Sequence, residues 1–256
     1  RDGIYFEFVT DSKIHHNTSI GHIRYGLHFM FSHRNEYMNN HFQDNGAGVA
    51  VMYSHHIEMS RNHFVANRGA SAYGLLLKEI NDVVITENLF EDNTTGLMVD
   101  GCNRVSVERN EFRYNGWALR LFANALYSQF RDNAFLGNTF DLSTNGNLTD
   151  NVLQGNYWDR YSGYDIDRDQ VGDTPFRPLG FFSLLVERVP YAMIFSRSLI
   201  VALLDRAERL LPTLTPEAMK DDRPRIRPQD WVGDRRTSVS GPARGSVGPS
   251  NTGYDG

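Results

Sequence analysis

Three side chains in the first quarter of the chain suit one soft metal ion: His28, Met30 and Met52. In the run Leu27-His28-Phe29-Met30-Phe31, the apolar Leu27, Phe29 and Phe31 read as inward, so His28 and Met30 turn outward on one face. Met52 follows Met30 in the same register of the next repeat, one strand spacing away. Imidazole and thioether donors favour Cu(I) over hard ions. The competing account is that outward methionines pack beneath a loop or a partner. His33 and His55 also share a register, with His56 and His15-His16 nearby, and form a second candidate copper pair. Turn histidines are often merely solvated, but all 9 histidines precede Phe64, which sets the N-terminal repeats apart. Met98 shares the register of His28 but lies too far along the repeat to complete a site. Cys102 reads as a small residue in a turn after Gly101.

A second constellation is Asp165, Asp167, Asp169 and Asp173, whose alternating carboxylates suit calcium. The spacing departs from an EF-hand, because Gln170 stands where that loop needs glycine and no closing Glu follows. Turn and cap formation is the alternative role for these aspartates.

The elements that must position these residues follow from a repeat of about 22 residues. Gly26, Gly48, Gly74 and Gly96 each precede a Phe by 16 positions (Phe42, Phe64, Phe90, Phe112), and an Asn follows each Phe by 3. Segments such as Gly96-Leu97-Met98-Val99-Asp100 alternate with period 2, and no repeat holds a helical stripe. The chain therefore reads as all-β, a right-handed parallel β-helix with coils opening near Gly3, Gly26, Gly48, Gly74, Gly96, Ala118 and Asp141. Leu27, Val49, Leu75, Leu97, Leu119 and Leu142 form one inward column, and Phe42 to Phe135 fill a corner. Asn17, Asn40, Asn62, Asn88, Asn110, Asn133 and Asn151 form one ladder. Asn45, Asn67, Asn93, Asn115, Asn138 and Asn156 form another.

The formal net charge of −5, with both signs interspersed, gives no case for a nucleic-acid partner. The 1 cysteine excludes an internal disulfide framework. Arg1-Asp2-Gly3-Ile4 reads as the middle of a coil, so earlier coils and an export signal are expected upstream. The organisation reads as a β-helix over 1–178, an amphipathic helical segment over 179–219 and a disordered tail over 220–256. Charges and Pro190 interrupt the apolar run, which disfavours a membrane-spanning helix. Phe181, Phe182, Leu185, Ile194, Phe195, Leu199 and Leu203 are instead candidates for docking to an apolar partner surface, or for covering the solenoid.

Two segments go beyond a generic solenoid: Arg24 to Ser32 (RYGLHFMFS), and Gly155-Asn156-Tyr157-Trp158-Asp159 followed by Tyr164 to Pro175 (YDIDRDQVGDTP). Together they resemble the NosD family, periplasmic β-helix proteins that assist copper-centre maturation of nitrous oxide reductase. The resemblance covers roughly residues 3–211. It implies a periplasmic, non-catalytic accessory protein that handles copper transiently and serves nitrous oxide reductase. The expected partners are a copper-chaperone lipoprotein and an ABC transporter, whose permease would tie the protein to the membrane. The rival readings are a polysaccharide lyase or C5-epimerase, and a carbohydrate-binding solenoid, since both use this scaffold. Against an enzyme, the outward column His28, Ala50, Leu76, Met98, Arg120, Ser143 offers no pair of carboxylates.

Overall fold

The structure, a computed structural model, describes residues 1–233 except 123, 147, 149, 196–197, 199–200, 202 and 205–218. The sequence period becomes three parallel sheets of seven strands that wind as one solenoid. The first sheet stacks Ile4–Glu7, Tyr25–Met30, Ala47–Met52, Leu75–Lys78, Thr95–Asp100, Trp117–Leu121 and Phe140–Ser143. The second contains Lys13–His15, Asn35–Met38, His55–Ser60, Asn81–Thr86, Asn103–Glu108, Gln129–Arg131 and Val152–Gln154. The third runs from Thr18–Ile20 to Tyr157–Trp158. Every expected inward column is in register, including Leu27↔Val49, Val49↔Leu75 and Leu97↔Leu119.

Two devices fix that register. Phe42, Phe64, Phe90, Phe112, Phe135 and Trp158 stack in one buried column, with centroid separations of 4.1–5.6 Å. Beside them, successive ladder asparagines donate through Nδ2 to the Oδ1 of the next, and the same Oδ1 accepts the backbone amide; from Asn62 to Asn88 these bonds are 3.0 Å and 2.8 Å. Asn133 bonds Asn156, not Asn151. Asn151 instead accepts the Ser128 amide in the column of Asn35, because one coil here is 23 residues, the separation of Ser128 from Asn151 and of Asn133 from Asn156. Gly26, Gly48, Gly74 and Gly96 form a column for a steric reason: a Cβ on Gly48 would sit 2.3 Å from the Gly74 carbonyl oxygen.

Tight corners require left-handed backbone. In the third coil these residues are Tyr53, His56, Arg61 and Ala66, with φ of 52–55°. Each costs about 1–2 kcal/mol, offset by the ladder bonds beside it.

Residues 220–233, expected to belong to a disordered tail, lie instead across the end of the solenoid. Asp221 is fully buried, pairs with Leu153 and Phe176 as bridges, and takes the place of an eighth-coil asparagine. Its carboxylate accepts from the Gly155 and Asn156 amides, Asn156 Nδ2 and Trp158 Nε1 at 2.9–3.1 Å. The sequence composition is polar, but one aspartate matches four orphaned donors at the last rung, and that match holds the strap.

Candidate functional site

Parallel pairing puts Met30 directly beside Met52, about 4.8 Å between strands, with Glu7 and Lys78 as the next residues in that column. Both methionines are half-buried. His28 lies two residues before Met30 on the same strand face and pairs with Ala50. His28 differs from the open position that alternation implies. It is only 8% exposed, because the rings of Tyr25 and Tyr5 cover it at 4.6 Å and 5.3 Å. Its Nε2 is buried without a hydrogen-bond partner. Burial lowers its pKa from 6.5, against an opposing pull from Asp2, so the ring is neutral near pH 7 with a free lone pair. A neutral imidazole and two thioethers on one face are a soft donor set.

Phe31, read as inward, is a correction. It takes φ 49° and is 37% exposed, because the chain turns a corner immediately after Met30 and the strand alternation ends there. Phe8, Phe31 and Tyr53 form an exposed stack along this corner, with ring separations of 5.4 Å and 5.2 Å. Beyond it, His33 and His55 stack at 3.9 Å with planes 7° apart. Nδ1 of His55 lies 2.9 Å from Nδ1 of His56. Sequence reading by single columns missed that Met30-Phe31-Ser32-His33 and Met52-Tyr53-Ser54-His55 are one tetrad in tandem. Comparing adjacent coils residue by residue reveals it.

Asp165, Asp167 and Asp169 converge, with one carboxylate oxygen from each within 4.8 Å of the others. Asp173 stands apart from that group and accepts the Ile166 amide at 2.7 Å. The three carboxylates also accept the amides of Asp169, Gln170 and Val171, as turn formers do. Cys102 is fully buried, and burial pushes its thiol up to about 12, which removes it as a ligand.

The helical segment begins with an α-helix, Phe181–Arg188, and a short 3-10 turn, Pro190–Phe195. Phe182 and Val186 pack on Trp117 and Phe140 of the first sheet, and Glu187 binds Arg120 at 2.6 Å and Ser143 at 2.8 Å. The helix therefore lies on the flank of the sheet that carries Met30 and Met52, while the strap covers the end. Phe181, Leu185, Ile194, Phe195 and Leu203 remain exposed, Ile194 at 82%. Leu199 lies outside the described residues. No helix among the described residues is long and apolar enough to cross a membrane. A groove of about 480 Å³ on the second sheet is lined by Glu36, Glu58, His56, Arg34, Asp82 and Arg104 among others. Glu36 is engaged there by Lys13 and His15, and Asp82 by Arg104.

Comparison with known proteins adds three findings. A family model described as NosD, periplasmic copper-binding protein, matches residues 1–163. Proteins named probable ABC transporter binding protein NosD, from Stutzerimonas stutzeri and Pseudomonas aeruginosa, are each 25% identical to this chain. The matches cover 59% and 60% of this chain and 39% and 40% of those relatives. The chain thus spans about two fifths of the length of the curated relatives it matches. Among solved structures, the A-module of the Azotobacter vinelandii mannuronan C-5 epimerase AlgE4 is similar, with TM-score 0.54 and 18% identity. That match covers 60% of this chain and 49% of the module. A variant of the periplasmic alginate epimerase AlgG is also similar, with TM-score 0.51 and 16% identity over 66% of this chain and 38% of that one. At such identities these structures share the solenoid fold alone.

Proposed function

The chain belongs to the NosD family of periplasmic copper-binding proteins, and from that premise we propose that it carries Cu(I) transiently on His28, Met30 and Met52. The observation that supports this most is the unpartnered Nε2 of His28 on the same face as the adjacent Met30 and Met52. The thioethers, half-exposed, capture the ion. The tyrosine cover then turns aside so that His28 supplies the third donor. Three neutral soft donors bind a monovalent soft ion without burying net negative charge, which suits release as much as capture.

In this reading the protein works in the periplasm, takes copper from a lipoprotein chaperone and serves the metal centre of nitrous oxide reductase. The exposed Phe181, Leu185, Ile194, Phe195 and Leu203 meet the permease of an ABC transporter, which tethers the chain to the membrane. The names of the two relatives favour a transporter partner.

The test is anaerobic Cu(I) titration against a chromogenic chelator, comparing the natural chain with a Met30→Ala, Met52→Ala variant and with His28→Ala. Binding that weakens stepwise in the variants supports the assignment; equal affinity in all three removes it. Turnover of alginate by the natural chain would instead favour an enzyme. For docking, Ile194→Ser with Phe195→Ser, both exposed, should abolish co-purification with the permease; undiminished association refutes that surface.

A further inference from the structure

We propose that His33, His55 and His56 form a second metal station, separate from the thioether site and selective for a divalent ion of borderline softness, Cu(II) or Zn(II). The tandem tetrad divides donors by type at one corner of the solenoid. Thioethers stand on the first sheet, imidazoles open the second, and the exposed Phe31–Tyr53 stack lies between them.

Three features make the imidazoles a ligand set rather than solvated turn residues. First, His33 and His55 stack nearly parallel at 3.9 Å. Second, the two Nδ1 atoms of His55 and His56 face one another at 2.9 Å. One must hold a proton for the other to accept, and a divalent ion replaces that single proton while drawing on both lone pairs. His56 reaches this position because its φ of 55° turns the chain at the corner. Third, Nδ1 of His33 is buried and has no partner. It stands over His55 and joins the other two by side-chain rotation. Asp82, which lines the same groove as His56, is held by Arg104 at 2.6 Å and 2.8 Å and stays outside the set. Imidazole without thiolate or thioether suits Cu(II) and Zn(II), whereas the methionines across the corner suit Cu(I).

The test uses the full chain with two probes, Zn(II) by calorimetry and Cu(II) by electron paramagnetic resonance. Four forms are compared: natural, His55→Ala with His56→Ala, Met30→Ala with Met52→Ala, and Asp165→Asn with Asp167→Asn. Circular dichroism first verifies that each is folded; His33→Gln gives a milder variant should the double histidine change fail to fold. The expected result is a roughly tenfold or greater loss of Zn(II) affinity, together with loss of nitrogen hyperfine structure, in the histidine variants alone. Unchanged Zn(II) affinity and an unchanged Cu(II) spectrum in those variants would overturn the proposal. Equal loss in the methionine or aspartate variants would overturn it too. Because the thioether site is read by Cu(I), failure here leaves that reading standing, and the reverse also holds.

Discussion

Replacing Asn88 by alanine should cost more than any surface change in the chain. The Asn88 side chain donates to the Met59 and Thr86 carbonyls at 3.0 Å each and to Asn110 Oδ1 at 2.9 Å. Its Oδ1 accepts the Asn62 amide at 2.8 Å and Asn62 Nδ2 at 3.0 Å. Asn110 Oδ1 keeps the Asn88 backbone amide, and Asn62 Nδ2 keeps the Tyr37 carbonyl, so neither is orphaned. The Asn62 amide and the Met59 carbonyl lose buried partners, at about 1–3 kcal/mol each. With the lesser loss at Thr86, the expected destabilisation is about 3–5 kcal/mol, a large share of the roughly 5–15 kcal/mol that holds a domain folded. Urea unfolding followed by tryptophan fluorescence measures it. Asn17→Ala, at the partly exposed first rung, is the comparison, with an expected loss of about 1 kcal/mol. If Asn88→Ala cost no more than Asn17→Ala, the ladder would not be what holds adjacent coils in register.

Three further outcomes follow from the buried polar groups. Asp221→Ala removes the acceptor for four donors at the last rung, so it should cost about 2–4 kcal/mol and red-shift the emission of Trp158; an unshifted spectrum would mean the strap does not close the end. Burial raises the Asp141 carboxyl from 3.8 to about 6, opposed by Arg160, so the fold favours its protonated form. Its contribution is therefore complete below pH 3.8 and is lost as pH rises through about 6, by about 3 kcal/mol at most; Asp141→Asn should flatten that part of the stability–pH curve, and an unchanged curve would refute the assignment. Cys102, with its thiol pushed up to about 12, should react with a thiol reagent only on unfolding, and rapid labelling of the native chain would contradict its burial.

The scaffold was legible because it is periodic. The Phe and Asn columns recur at fixed offsets, and a parallel solenoid converts each offset into a vertical neighbour, so Met30 beside Met52 follows directly. Where periodicity fails, so does the reading. At the last coil Asn156 takes the place expected of Asn151, which moves to the column of Asn35, and Phe31 leaves the interior because a corner follows Met30. The cover on His28 was not legible at all: Tyr5 and Tyr25 come from different coils, and their rings meet over one imidazole only through stacking. Asp221 was hidden for a related reason. It lies 65 residues from Asn156, in a polar stretch whose composition argues for disorder, and a single complementary contact overrides that composition.

Copper K-edge absorption on the chain loaded anaerobically with one equivalent of Cu(I) tests the thioether site most directly. Two sulfur scatterers and one imidazole nitrogen are predicted, with the sulfur shell lost in Met30→Ala, Met52→Ala. A shell of nitrogen and oxygen alone in the natural chain would contradict a soft-metal platform built from neighbouring coils.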